Sequence, residues 1–174
     1  MFVLGIDPGL SRCGYGAVSR SAGAKARFHA VLAGVIVTPP AAPLPARLAN
    51  LARELRELIA ELSPDAVAVE RVFFQTNART AMSVGQASGL ALAAAAEGGC
   101  EVAEYTSNEV KQAVAGYGAA TKEQVGRMVA TLCGLGVRPR PADAADALAL
   151  AICHLTLAPG RQRIAAALGT GPAR

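Results

Sequence analysis

Two short apolar runs in this chain each close on an acid. Phe2-Val3-Leu4-Gly5-Ile6 leads into Asp7, with the turn formers Pro8 and Gly9 behind it, and Ala66-Val67-Ala68-Val69 leads into Glu70. All-apolar runs of this length read as strands covered on both faces. An unpaired carboxylate at the end of such a strand costs several kcal/mol of desolvation, so a cationic partner is expected for Asp7. The same residue can also be read as a cap of its own Pro8-Gly9 turn. Two further acids, Asp143 and Asp146, stand three residues apart in Ala142-Asp143-Ala144-Ala145-Asp146-Ala147-Leu148 and share one face of an otherwise apolar helix. Complementing the helix dipole, worth ~0.3–1 kcal/mol, would account for Asp143 and less well for Asp146. Four such acids in one place would repel unless a cation sat among them, and an all-oxygen ligand set favours Mg2+ or Mn2+.

The elements that must position these acids can be read in order. The Gly-rich turn after Gly9, residues 14–19 and the β-branched stretch 27–38 complete a three-stranded antiparallel meander. Pro39 to Pro45 is a stiff connector. Residues 46–62 carry Leu48, Leu51, Leu55, Leu58, Ile59 and Leu62 at helical spacing, opposite Arg53, Glu54, Arg56, Glu57 and Glu61, the pattern of an amphipathic helix on a sheet. Strand, helix, strand then makes 66–70 a parallel neighbour of the first strand. Their carboxyl ends, with Asp7 and Glu70, meet at the edge where open α/β sheets place their sites. A long helix over 77–97 ends at Gly98-Gly99, and a strand follows over 100–105. Thr106-Ser107-Asn108-Glu109 and Thr121-Lys122-Glu123-Gln124 fit the capping-box pattern and start two more helices. A final helix is expected from Pro141 to about 157, with a partly disordered tail from 158. His154, on the order of 12 Å along that helix from Asp146, reads as a core or interface residue.

Composition bounds the rest. A chain of 174 residues, 52% hydrophobic and 17% charged, suits one buried core, taken as a domain over 1–158 with a basic, flexible tail over 159–174. No signal peptide is expected. The apolar segment 81–96 falls short of a membrane span, so a soluble, cytoplasmic protein without a membrane partner is expected. Four scattered cysteines without a C-x-x-C pair, and only two histidines, speak against zinc and for reduced thiols. Net charge is +4; with the four acids set aside, 17 basic residues face 9 acidic ones, a balance that suits nucleic acid.

Gly5-Ile6-Asp7-Pro8-Gly9, Gly14-Tyr15-Gly16, Glu70-Arg71-Val72-Phe73, Gly85-Gln86-Ala87, Val110-Lys111-Gln112 and 142–149 together resemble the RuvC family of Holliday-junction resolvases, in order from Gly5 to about His154. The resemblance implies an α/β, RNase H-like mixed sheet, three antiparallel strands followed by parallel ones, flanked by helices. It also implies a homodimeric endonuclease of recombination and repair that nicks four-way DNA junctions symmetrically. Asp7, Glu70, Asp143 and Asp146 would be catalytic and hold two Mg2+ ions per active site, with Mn2+ as a substitute; some members carry histidine at the position of Asp143. Phe73 would be a wedge for an opened base, with Phe74 buried, and Lys111 and Lys122 would meet DNA near the scissile phosphate. Certain relatives have arginine where Ser88 stands here, a contact that Arg79 could replace. RuvA and RuvB are the implied motor partners.

Two other classes compete with this reading. A sugar-kinase or actin-like ATPase also uses Asp-x-Gly before a Gly-rich hairpin, but needs a second such lobe. A catalytically inert junction-binding protein would not need four intact acids. Ala81, Gly85, Gly89 and Ala93 recur every four residues and suggest a dimer interface on the 77–97 helix, or else its packing on the protein's own sheet.

Overall fold

The computed structural model describes residues 1–21, 23, 27–72 and 78–168. Its sheet has five strands in the order β3-β2-β1-β4-β5: β1 (Phe2–Asp7), β2 (Arg12–Arg20), β3 (Phe28–Val37), β4 (Ala66–Glu70) and β5 (Glu101–Tyr105). The meander β1-β2-β3 is antiparallel, whereas β4 and β5 run parallel to β1. The expected mixed sheet is therefore present.

Side-chain alternation along β1 and β4 explains which layer each residue joins. Leu4, Ile6, Val67 and Val69 enter one core with Leu51, Leu55 and Ile59 of helix α1 (Leu44–Leu62) and Ala87, Ala91, Ala94 and Ala95 of helix α2 (Ala78–Glu97). Val3, Ala66 and Ala68 enter the other, with Val110 and Val114 of α3 (Ser107–Ala115), Val125 and Val129 of α4 (Lys122–Leu132), and Leu148 to Cys153 of α5 (Ala142–Ala167). Asp7 and Glu70 continue the second alternation and so face the α5 layer. Helix α5 lies directly on β1 and β2, with α3 and α4 packed outside it. An all-round apolar helix in that sandwiched position needs no polar face.

The approach of α5 to the sheet is unusually close. A Cβ on Gly5 would fall 1.9 Å from the Ala147 carbonyl oxygen, and one on Gly14 would fall 2.2 Å from that of Asp143. Only glycine fits beneath the first turns of this helix.

Both expected capping boxes form: the Thr106 and Thr121 side chains accept from the backbone of Glu109 and Gln124, whose side chains bond back. The end of α5 corrects the sequence reading. The helix passes Pro159 and continues to Ala167, whereas the Pro159-Gly160 signal suggested a tail from 158. A distant anchor holds this extension: Arg161 pairs with Glu109 at 3.0 Å and lies 4.7 Å from the centre of the Tyr105 ring. Among the described residues the stretch Ala142–Arg161, rather than 81–96, is the one long and apolar enough to cross a membrane by composition, but 67% of it is buried in the protein, as befits a core helix.

Helix α2 buries Ala87, Ser88, Ala91, Ala94 and Ala95, while an added Cβ on Gly85 or Gly89 would meet nothing within 4 Å. The small-residue stripe thus faces away from the sheet. Ser88 is on the buried side.

Candidate active site

Parallel pairing of β1 with β4, Ile6 opposite Val69, sets Asp7 beside Glu70 at the carboxyl edge of the sheet. The two carboxyl groups share a hydrogen bond. Burial, followed by the charges of Glu70 and Asp146, pushes Asp7 up to about 7, and the ammonium of Lys122 only partly opposes this. Burial likewise raises Glu70, against the hydrogen bond from Asp7 and the charges of Lys122 and Lys111. The expected cationic partner of Asp7 is thus not an ion pair. Its nearest interactions are with another acid, and the pair retains a proton that two isolated carboxylates would have lost.

The other two acids stand on the first two turns of α5, and each has found a cation. Asp146 Oδ2 accepts from Lys122 Nζ at 2.7 Å; the acid side chain is 21% exposed and the lysine 79%. The bond to Asp146 is the main reason Lys122 is raised, with Asp7 and Glu70 adding to it. Asp143 Oδ2 accepts from both Nε (2.9 Å) and Nη2 (2.7 Å) of Arg12, at the start of β2. The sequence reading missed Arg12. Its only local signal is the period of two that places it on the same face of β2 as Gly14, beneath Asp143.

Glu70, Asp146, Lys111 and Lys122 line a small cavity of about 100 Å³ with Ser107, Val110, Val125, Ala149 and Leu150. Helices α3 and α4 thus bring both expected lysines to the acids. Among the described residues no three Asp, Glu, His or Cys side chains converge as a ready-made metal cage. The donors are nevertheless suited to a divalent ion: they are carboxylates whose mutual repulsion already shows in the raised Asp7 and Glu70. Phe73 and Phe74 lie outside the described residues. Arg79 is on the first turn of α2, and its side chain lies outside them too. His154 is buried in the core, its Nδ1 3.0 Å from the Tyr105 hydroxyl.

Comparison with known proteins agrees with this geometry. The family model "Crossover junction endodeoxyribonuclease RuvC" matches residues 3–154. The protein of that name from Moorella thermoacetica is 53% identical over 163 residues, covering 94% of this chain and 96% of its own length. Its namesake from Salinispora arenicola is 53% identical over 167 residues, covering 96% and 94%. The solved structure of Thermus thermophilus RuvC superposes with a TM-score of 0.86 at 38% identity, over 92% of this chain and 97% of that one. The same protein in complex with Holliday junction substrate gives 0.83 at 36%, over 92% and 96%. The yeast mitochondrial Holliday junction resolvase, 15% identical with a TM-score of 0.59, shares the fold. A family match that begins in β1 and ends at His154 takes in every element bearing the four acids, and the chain belongs to the RuvC family of crossover junction endodeoxyribonucleases.

Proposed function

We propose that this chain resolves four-way DNA junctions by paired symmetric nicks, hydrolysing phosphodiester bonds with Mg2+, or Mn2+ in its place, two ions per active site held by Asp7, Glu70, Asp143 and Asp146. The observation that carries this reading is the proton-sharing pair Asp7 and Glu70, with Asp146 close enough to raise both. Bound divalent ions would supply the charge that lowers the pKa of the attacking water and stabilises the leaving 3′ oxygen. Asp7 and Glu70 would hold that charge as ionised carboxylates. Lys122, exposed and bonded to Asp146, is placed to follow either the carboxylate or an incoming phosphate. Lys111 faces the same cavity and contributes a second ammonium for the DNA backbone. Phe73 follows Glu70 by three residues and takes the wedge role, stacking an opened base; Arg79 adds a backbone contact.

The working unit is a homodimer joined through the outward stripe of α2, where Gly85 and Gly89 leave room for a second backbone and Met82 is 65% exposed. Two-fold symmetry sets two active sites on opposed strands. RuvA and RuvB are the partners that deliver the junction, in the cytoplasm. The folded nuclease unit extends through α5 to Ala167, past the 1–158 boundary that the sequence suggests.

The test is incubation with a synthetic mobile four-way junction, with and without Mg2+, resolved on a denaturing gel. Symmetric nicks in opposed strands, dependent on the metal, are expected. Binding without cutting at any Mg2+ concentration would replace this reading with that of an inert junction-binding protein.

A further inference from the structure

We infer that Arg12 is a positioning residue for Asp143, holding this carboxylate in the metal-free protein and competing for it with the divalent ion, so that the Arg12–Asp143 pair sets the metal requirement of the site. The inference rests on the divalent-ion reading above.

The Asp143 carbonyl is fixed against Gly14, where even a methyl group would not fit, and Asp7 is the strand partner of Gly14 on its other side. Asp143 therefore cannot retreat from the acid cluster, and its charge must be met where it stands. Arg12 is two residues from Gly14 on the same face of β2, so its guanidinium reaches Asp143 without leaving the strand.

Geometry then shows what the contact does to Asp143 as a donor. Both Arg12 bonds, at 2.9 and 2.7 Å, end on the same atom, Oδ2. A charge-assisted fork on one oxygen is among the stronger protein hydrogen bonds. A divalent ion drawing on that oxygen must displace at least one of the two. Here Arg12 is a competitor, and the competition can be lost because its side chain is 49% exposed and that of Asp143 31%. A fully buried pair would be a fixed structural strut. A half-exposed pair contributes little net stability and can be exchanged for an ion.

Arg12 and Lys122 act on different acids. Lys122 holds Asp146 from α4, and Arg12 holds Asp143 from β2, so the two α5 carboxylates are neutralised from opposite sides of the helix start. Removing Arg12 leaves Lys122 in place.

The test uses the full chain, free of DNA, with Mn2+ as the probe in titration calorimetry. Wild type, Arg12→Gln, Arg12→Lys, Asp143→Asn and the double variant Arg12→Gln/Asp143→Asn are titrated, and each is melted in EDTA. Arg12→Gln should bind Mn2+ about fivefold more tightly than wild type, the order expected for losing a partly exposed fork-shaped ion pair. It should melt lower than wild type in EDTA and recover in saturating Mn2+, because the uncompensated carboxylate then has its cation. Arg12→Lys, which keeps the charge and loses the fork, should lie between them; it also serves if the glutamine variant fails to fold. On the Asp143→Asn background the Arg12→Gln change should leave affinity unaltered. Equal or weaker Mn2+ binding by both Arg12 variants overturns the inference, as does a gain that persists without the Asp143 carboxylate, since general charge would then explain it. If wild type itself binds no Mn2+, the divalent-ion reading fails first and this inference with it, an outcome distinct from a wild type that binds and an Arg12 variant that binds no better.

Discussion

The four acids divide into two regions with opposite solutions to the same electrostatic problem. Asp7 and Glu70, at the ends of neighbouring parallel strands, are largely withdrawn from water and meet their repulsion by keeping a proton between them. Asp143 and Asp146, on the first turns of α5, meet it with Arg12 and Lys122. Lys111 and Lys122 act on the inner pair through their charge, whereas Arg12 and Lys122 bond the outer acids directly. The inner pair is thus poised to exchange a proton for a metal ion, and the outer pair to exchange protein cations for it.

The largest expected effect comes from breaking the inner pair. Asp7→Asn or Glu70→Gln should bind junction DNA about as well as the parent and cut at least ~10²-fold slower, because the lost charge is needed mainly in the transition state. Band-shift and single-turnover cleavage assays separate the two effects. Equal loss of binding and cutting would point to folding damage.

Separating the two regions physically should come next. Gly5→Ala would drive a methyl group into the Ala147 carbonyl and force α5, with both outer acids, away from the strand that bears Asp7. Overpacking of this kind costs ~1–3 kcal/mol. Urea denaturation should show that loss, and cleavage should fall even where the variant is fully folded. A variant as stable and active as the parent would mean that α5 can slide without cost to the site.

Much of this site was legible in the chain itself. Two apolar runs ending in acid, read with a period of two, place Asp7 and Glu70 on one edge and one face, and both capping boxes are local patterns that the structure repeats. The Arg12–Asp143 pair was not legible, because it joins residues 131 apart whose approach depends on how α5 seats on glycines. The continuation of α5 past Pro159 was missed for the same reason: its anchors, Glu109 and Tyr105, are remote in sequence, whereas the Pro-Gly stop signal is local. The resemblance nominated the four acids but was silent on how they are balanced without metal.

The proton of the inner pair predicts a pH effect on stability in EDTA. Asp7 is held near 7 in the folded protein against the ordinary aspartate value of 3.8, so between these values the native state binds a proton that the unfolded state does not. The Asp7 contribution to stability then falls as pH rises from about 4 to about 7, while Glu109 and His154, both lowered in the folded protein, contribute with the opposite sign. Relative to Asp7→Asn, melting of the parent in EDTA should drop over this range by on the order of 5 °C. Saturating Mg2+ should reverse the slope by favouring the ionised pair. A parent profile in EDTA no steeper than that of Asp7→Asn would show that the pair ionises freely.

The smallest effect concerns Lys122, whose charge acts on both regions. Lys122 bonds Asp146 and lowers the cost of charge on Asp7 and Glu70, yet it stands on the first residue of α4, the positive end of that helix dipole. A cation there is disfavoured by a few tenths of a kcal/mol. Its position is kept by the Thr121 cap, whose Oγ1 accepts from the Gln124 amide at 3.2 Å while Gln124 Oε1 accepts from the Thr121 amide at 2.8 Å. Thr121→Ala should cost ~1 kcal/mol and fray the turn that holds Lys122. Thr106→Ala removes the matching box from α3 at similar cost, but Lys111 lies a full turn beyond the cap, and Glu109 remains tied to Arg161. At equal loss of stability, then, Thr121→Ala should slow cleavage by about two- to fivefold, the scale of a mispositioned rather than missing group, and Thr106→Ala by less. Matched single-turnover rates for the two variants would decide it: equal slowing would mean that the caps act only through stability, and that Lys122 does not depend on its helix turn to link the inner and outer acids.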